Sequence, residues 1–210
     1  MSANLTSYDR DGVYPFLSEV AEMRRRARQH IQAATTNADQ SVAHPTVLRL
    51  LNEALTTELA CVSRYRSHSA MADGAVADSV RDEFMKYAQE ERGHAVQLAE
   101  RIVQLGGEPV LQPPGECSTP ANGSIEQIEA DGLADLIEED LIAERIAIES
   151  YREILQYLGA NDPTTRQLLE SILAVEVAHA EELASLRSEL LRRDRQASIS
   201  SVRLPMLELQ

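Results

Sequence analysis

The sequence predicts an all-α protein: an antiparallel four-helix bundle with one long crossover between its second and third helices and an extension before the first. Aromatic residues make up only 4% of the 210 residues, and the 9 Gly and 8 Pro fall mostly in short clusters, a composition that favours long helices over sheets. Apolar residues recur at helical spacing in four segments. Two short connections and one long connection separate these segments, which fits a single bundle.

The bundle is expected to occupy residues 45–193, as one domain with an appendage at each end. Residues 1–44 form the N-terminal extension, in which apolar spacing between 14 and 33 predicts a short amphipathic helix. Residues 194–210 form a C-terminal tail, where no clear helical pattern is visible.

The first two bundle helices are delimited by capping residues. The first is predicted to begin near Pro45, which suits the first helical position, and to end near Asp73-Gly74. The second begins around Asp78 or Ser79, both good N-caps. It ends at a Gly-Gly pair that a Pro follows closely, so a short loop pairs the two helices as an antiparallel hairpin.

The third and fourth helices form a second hairpin by the same signals. The third is predicted over residues 132–158 and ends at Gly159. Asp162 then serves as an N-cap and Pro163 as the first helical residue of the fourth helix, which runs to about residue 193.

The connection between the hairpins is long and rich in Pro, Gly and Ser. It covers residues 107–124, GEPVLQPPGECSTPANGS. Such a segment is either a boundary between two helical-hairpin domains or a crossover that runs the length of one bundle. A bundle with one long crossover is the ferritin-like arrangement.

The charge of the chain argues against several partners. A net charge of −14 repels nucleic acid and attracts cations. No apolar run approaches the roughly 20 residues that cross a bilayer, and the start of the chain does not read as a secretory signal, so we expect a cytoplasmic protein without a membrane partner. The basic run MRRRAR at 23–28 either contacts DNA or, as we favour, forms a solvated helix face or a subunit contact.

Acidic residues and histidines interrupt the four apolar stripes. The inward positions are Glu58 on the first helix, Glu91 and His94 on the second, Glu144 on the third, and Glu176 and His179 on the fourth. Each His follows a Glu by three residues, which places both groups on one helix face. Each half of the chain therefore supplies a Glu and then a Glu-x-x-His on consecutive helices, 33 and 32 positions apart.

The free energy of burying these groups indicates what they do. Four unpaired carboxylates in a bundle core would each cost several kcal/mol, and two divalent cations would balance their charge. Mixed carboxylate and imidazole ligands suit iron or manganese better than calcium or structural zinc. A single Glu-x-x-His is common in helical proteins and usually means nothing, whereas two of them with matching upstream glutamates predict a site for two metal ions.

Three segments resemble the bacterioferritins, a group of ferritin-like di-iron carboxylate proteins. These are LNEALTTELACVSRY, ERGHAVQLAERIVQLGGEPVLQ and EDLIAE, and the resemblance covers about residues 45–190. It implies a bridging role for Glu91 and Glu176, a terminal role for Glu58 and Glu144, and one imidazole for each metal, from His94 and His179.

The resemblance also implies a function. The expected protein is a ferroxidase that oxidises Fe(II) with O2 or H2O2 at a di-iron centre in each subunit, within a homo-oligomeric cage of 12 or 24 copies that stores iron. A rubrerythrin-type peroxidase, a manganese catalase and a DNA-protecting mini-ferritin of the Dps type are the alternatives. A rubrerythrin would usually carry a CxxC pair, which this chain lacks.

The chain departs from the bacterioferritin pattern at Arg92. Bacterioferritins carry a haem-ligating Met directly after the second-helix ligand Glu, so haem is not expected here. The long crossover, the N-terminal extension and the tail also differ, and the extension and the tail leave open whether the cage is a dodecamer like the mini-ferritins.

Two further residue types lie near the expected site. Tyr65 follows Glu58 by seven residues and faces the site. It either donates a hydrogen bond or an electron there or is a core tyrosine with a satisfied hydroxyl. Cys61 either pairs with Cys117 as a redox-sensitive bridge or, as we favour, is a small buried residue.

Overall fold

The computed structural model describes residues 44–72, 77–111 and 130–202, together with seven residues between 22 and 31. Four long helices span the three main described ranges: α1 (His44–Met71), α2 (Ala77–Gln104), α3 (Ala130–Leu158) and α4 (Pro163–Val202). The predicted all-α fold is confirmed. Over the described residues, no helix combines the length and the apolar character needed to cross a bilayer.

The helix ends follow the capping residues that the sequence contains. Asp162 accepts a hydrogen bond from the Thr165 backbone N–H at 3.0 Å and so caps α4. At the end of α2, Gly106 has a φ of 76°, and the next N–H, from Gly107, donates to Ile102 O at 2.9 Å. This closing turn requires a residue that tolerates left-handed backbone angles, which explains the glycine at position 106.

The predicted end of α4 near residue 193 is wrong. The helix continues to Val202, through the first part of the segment expected to be a non-helical tail. No Gly or Pro interrupts the chain until Pro205, so nothing in the sequence forces the helix to stop earlier. Arg193 pairs with Glu189, and Arg195 Nε donates to Leu191 O at 3.1 Å, which adds local support one turn apart.

The four helices form one bundle rather than two separate hairpin domains. α1 packs along α2 and α3 along α4, and the two hairpins meet through α1 against α3 and α2 against α4. The crossover from 112 to 129, including Cys117, lies outside the described residues.

Two apolar clusters fill the interior and leave a polar layer between them. One cluster includes Tyr65, Phe84, Leu133 and Leu183, and the other includes Leu50, Leu98, Leu155 and Ile172. Each helix contributes residues to both clusters, and its inward acidic residues and histidines lie between the part that belongs to one cluster and the part that belongs to the other. The polar layer is therefore buried in the middle of the bundle.

Part of the N-terminal extension lies against α1 and α3. All seven described residues between 22 and 31 are helical; the rest of the helix predicted over 14–33 lies outside the described residues. Arg24 pairs with Glu153 at 2.9 Å, Arg28 contacts the same carboxylate, and Arg26 lies 3.5 Å from Glu53. Three arginines of the basic run thus neutralise acidic residues of their own bundle, a contact that the sequence patterns did not reveal.

Candidate metal centre

Each helix contributes a carboxylate to the buried polar layer, and α2 and α4 each add a histidine. The six side chains are all at most 5% exposed: Glu58, Glu91, His94, Glu144, Glu176 and His179. Because an α-helix repeats every 3.6 residues, the Glu-x-x-His spacing turns both groups of α2, and both groups of α4, toward the bundle axis. The structure therefore brings all six predicted residues together.

These residues form two overlapping groups of possible metal ligands. One contains Glu58 and His94, the other contains Glu144 and His179, and both contain Glu91 and Glu176. Within each group the ligand atoms lie within 4.8 Å of one another. Glu91 and Glu176 thus belong to both groups, and each group is completed by a Glu and a His of its own. This arrangement is suited to two adjacent cations.

Both imidazoles direct Nδ1 toward the carboxylates. His94 Nδ1 lies 2.9 Å from Glu176 Oε1 and 3.3 Å from oxygens of Glu58 and Glu91. His179 Nδ1 lies 3.0 Å from Glu91 Oε1, while its Nε2 lies 2.8 Å from Glu90 Oε2. A carboxylate on the far nitrogen fixes the orientation and tautomer of a metal-binding imidazole, so Glu90 supports His179 from outside the ligand set.

Two tyrosines hold the two terminal carboxylates. The Tyr65 hydroxyl donates to Glu144, and the Tyr151 hydroxyl donates to Glu58. Each tyrosine follows its own helix's terminal Glu by seven residues and bonds to the Glu of the opposite helix, so the arrangement is approximately two-fold. Our sequence analysis did not single out Tyr151, although its spacing from Glu144 equals that of Tyr65 from Glu58 and could have identified it.

The carboxylates and imidazoles shift one another's pKa values. Burial raises the pKa of Glu91 and Glu144 well above the usual range, and repulsion from Glu176 adds to the rise. Burial would also raise the pKa of Glu176, but hydrogen bonds with His179 and His94 outweigh it and lower that pKa to about 2.

The imidazoles respond in the opposite direction. Burial by itself lowers their pKa values, but hydrogen bonds to the surrounding carboxylates prevail and raise the pKa of His94 to about 12 and that of His179 to about 9. Without metal, these shifts favour protonated imidazoles and the neutral acid at Glu91 and Glu144, so shared protons balance part of the charge of the site.

The site retains polar atoms that protons alone do not satisfy. Among the described residues, Glu91 Oε1, Glu144 Oε2, Glu176 Oε1 and His179 Nδ1 are buried without a hydrogen bond of good geometry, although His94 Nδ1 lies 2.9 Å from Glu176 Oε1 and His179 Nδ1 lies 3.0 Å from Glu91 Oε1. A buried polar atom without a partner costs about 1–3 kcal/mol. Two cations bound among these oxygens and nitrogens would satisfy them, and four carboxylates with two imidazoles match the preferences of iron and manganese.

A second buried polar cluster lies between α1 and α3, beyond Tyr65. His68 Nδ1 lies 2.6 Å from Asp140 Oδ2, and Arg64 pairs with Glu139. Arg64 and His68 each pair with one of the two carboxylates, so this cluster has one basic group for each acidic group, whereas the central site has two histidines for four carboxylates. The sequence interpretation did not single them out, because a lone His on an apolar face carries no distinctive spacing.

Two other positions bear on the sequence-based expectations. Cys61 is buried, and burial together with the site's carboxylates raises the pKa of its thiol. Arg92 is exposed on α2. A guanidinium has no lone pair to offer a metal, so Arg92 does not fit the role of a haem ligand.

Comparison with known proteins relates the chain to one family. A family model described as a ferritin-like domain matches residues 48–192. A bacterioferritin of Mycobacterium tuberculosis (strain ATCC 25618 / H37Rv) is 36% identical over 140 residues, 66% of this chain and 82% of the relative. A bacterioferritin of Rhodobacter capsulatus is 27% identical over 137 residues, 64% of this chain and 78% of the relative.

A solved structure resembles the fold as well. It is that of a dodecameric thioferritin, the bacterioferritin-related protein from Bacteroides fragilis. The two structures superpose with a TM-score of 0.62 and are 26% identical in sequence. The matched region covers 82% of this chain and 98% of the Bacteroides chain.

The raised imidazole pKa values predict that metal binding releases protons. A group whose folded pKa is raised holds its proton up to that pKa, so a metal must displace protons from His94 and His179, and falling pH must weaken binding. We expect the Mn(II) affinity to increase between about pH 6 and 8. Calorimetry in two buffers of different ionisation enthalpy measures the protons released. Mn(II) binding that releases no protons and does not depend on pH would contradict the prediction. The control is His44→Gln, which alters an exposed histidine and should bind Mn(II) as the wild type does.

Proposed function

The chain belongs to the ferritin-like family as a bacterioferritin-like member, and we propose on that premise that it is a ferroxidase that oxidises Fe(II) and contributes to iron storage and detoxification. One observation carries the proposal: two groups of buried ligands share Glu91 and Glu176. Two Fe(II) ions held side by side can give two electrons to one molecule of dioxygen or hydrogen peroxide.

The ligands have distinct tasks in this proposal. Glu91 and Glu176 would bridge the ions, while Glu58 with His94 and Glu144 with His179 would complete the two ligand sets. Four carboxylates balance the charge of two dications and can change how they bind as the ions become oxidised. Tyr65 and Tyr151 keep the terminal carboxylates in place by donating hydrogen bonds to them.

The α2/α4 face suggests how cations approach. A groove of about 540 Å³ between these helices has four glutamates and one lysine in its lining. Tyr87 lines the groove and packs against His179, with 4.7 Å between ring centroids. Glu90, partly exposed, binds the far side of the same imidazole. Acidic residues at the surface raise the local concentration of cations, so we place the entry of Fe(II) on this face.

A homo-oligomeric cage is part of the proposal. The related Bacteroides protein is a dodecamer, and we extend a cage of 12 or 24 subunits to this chain on the strength of that similarity. The exposed side of α2 carries Met85, Val96 and Val103, each at least 48% exposed. Apolar side chains in that position are suited to contact another subunit.

Glu91→Ala tests the shared ligand. It removes a charge and a bridging group, so the paired site should collapse to one weakly held ion. We expect Fe(II) oxidation to fall more than about tenfold and Mn(II) to raise the melting temperature much less than in the wild type. Glu100→Ala removes an exposed carboxylate from the same helix and should change neither quantity.

The metal-free stability of Glu91→Ala should behave in the opposite way. The substitution relieves repulsion among buried carboxylates, so the free energy of unfolding should fall by less than the roughly 2–5 kcal/mol of an ordinary large-to-small core change. Equal Mn(II)-induced melting shifts in the wild type and Glu91→Ala would exclude Glu91 as a ligand.

Substituting the two tyrosines separates a positioning role from a redox role. Tyr65→Phe and Tyr151→Phe each remove one hydrogen bond to a terminal carboxylate, and each should weaken metal binding or slow oxidation by about 10–100-fold. If Tyr65 also donates an electron, a tyrosyl radical in freeze-quenched samples should disappear in Tyr65→Phe and persist in Tyr151→Phe. Unchanged binding and oxidation in both variants would remove the tyrosines from the site's machinery.

We also propose that the protein works without haem, because Arg92 stands at the position where bacterioferritins carry the ligating Met. Protein purified from cells supplied with haem should show no Soret band that survives washing. A persistent band would overturn the proposal, and Arg92→Met would then show whether the band depends on this position.

A further inference from the structure

A small cavity lies between α1 and α3, next to the candidate metal centre. Its volume is about 20 Å³, room for little more than one water-sized molecule. Ala54 and Thr57 of α1 and Ala147, Ser150, Tyr151 and Ile154 of α3 line it. The charged side chains of Arg24 and Glu53 complete the lining.

The hydroxyl groups around this cavity donate their hydrogen bonds to groups outside it. Thr57 donates to Glu53 O at 3.0 Å and Ser150 donates to Ile146 O at 3.0 Å, both within their own helices. Tyr151 donates to Glu58. The surface that the lining presents to the cavity is almost entirely apolar. Arg24 Nε is buried without a hydrogen-bond partner among the described residues, but one donor falls short of the about two to four polar partners that a buried water needs. The cavity is therefore suited to a small apolar molecule rather than to water or a hydrated cation.

The cavity lies one side chain away from the metal ligands. Tyr151 belongs both to its lining and to the hydrogen bond that holds Glu58, and Thr57 directly precedes Glu58 in α1. A molecule in the cavity would therefore contact the tyrosine whose hydroxyl binds the Glu58 carboxylate.

The N-terminal segment covers this side of the bundle. Arg24, part of the lining, pairs with Glu153 at 2.9 Å and lies 3.9 Å from Glu149. Arg26 lies 3.5 Å from Glu53, which also lines the cavity. These ion pairs hold a cover over the α1/α3 face, whereas the acidic groove opens on the α2/α4 face.

We propose that the apolar cavity between α1 and α3 is a binding site for dioxygen on its way to the metal centre. The inference rests on the proposed ferroxidase function and adds to it the identity and route of the oxidant. Dioxygen is uncharged and needs no hydrogen-bond partner, so it fits a lining that excludes a hydrated Fe(II) ion. Cations and oxidant then reach the ligands from opposite faces of the bundle, and a waiting oxidant does not obstruct the entry of iron.

Krypton-pressurised crystals test the binding site without any reaction. Krypton is an inert atom close to dioxygen in size, and its anomalous scattering locates it in crystals of the metal-free protein. We expect krypton between Ala54, Ala147 and Tyr151 in the wild type. Ala147→Val adds two methyl groups to the cavity and should abolish that peak, whereas Ala70→Val adds the same groups at an exposed position of α1 and should leave it.

Oxidation kinetics test the route. In Ala147→Val we expect the dioxygen concentration for half-maximal Fe(II) oxidation to rise several-fold, while the rate at saturating dioxygen and the Mn(II) affinity stay at wild-type values. General damage to the site would instead lower the saturating rate or the Mn(II) affinity. Ala70→Val should match the wild type in all three measurements.

The outcomes separate the inference from the function it rests on. Two results would overturn the dioxygen site and leave the ferroxidase proposal in place. One is an ordered water in the cavity that krypton does not displace. The other is an unchanged dioxygen dependence of Fe(II) oxidation in Ala147→Val although the cavity is filled. A wild-type protein that binds Mn(II) but does not oxidise Fe(II) rejects the ferroxidase proposal, and the dioxygen route with it.

Discussion

The burial of four carboxylates and two imidazoles in the middle of the bundle is the constraint on which the rest of the structure depends. Such a layer is tolerated only if its charge is compensated. Without metal, shared protons provide the compensation, as the raised pKa values of His94 and His179 and the lowered pKa of Glu176 indicate. Two cations would do the same with more favourable contacts. Stability and the proposed chemistry are therefore linked, because the groups that are costly in the core are those that we propose as metal ligands.

The surrounding structure holds this layer from several directions. An apolar cluster on each side fixes the four helices, so the ligands lie at a defined height along the bundle. Tyr65 and Tyr151 hold the terminal carboxylates, and Glu90 holds the far nitrogen of His179. The two pairs of helices also present different surroundings. The α2/α4 face is acidic, while the α1/α3 face has an apolar cavity beneath the N-terminal arginines. In the proposed function, Fe(II) and dioxygen would therefore approach one centre from different faces of the bundle.

The fold was predictable in the places where its signals are local. Helix starts follow Pro45 and the Asp162-Pro163 pair, and the end of α2 follows from Gly106, since caps act within one turn. The end of α4 was placed too early because a weakening apolar stripe was taken as a stop signal. A helix without Gly or Pro can continue on main-chain hydrogen bonds and local ion pairs, as it does from residue 193 to Val202.

The sequence by itself determined the helical class and the six residues that meet in the core, because helical periodicity fixes which side chains share a face and burial makes acids on that face costly. Only the tertiary structure decided which oxygen meets which nitrogen, that Tyr151 holds Glu58 from 93 positions away, and that Arg24 reaches Glu153 across 129 positions. It also decided where the cavity lies. These features depend on the register between helices, and register is set by packing across the whole bundle, which no local pattern along the chain records.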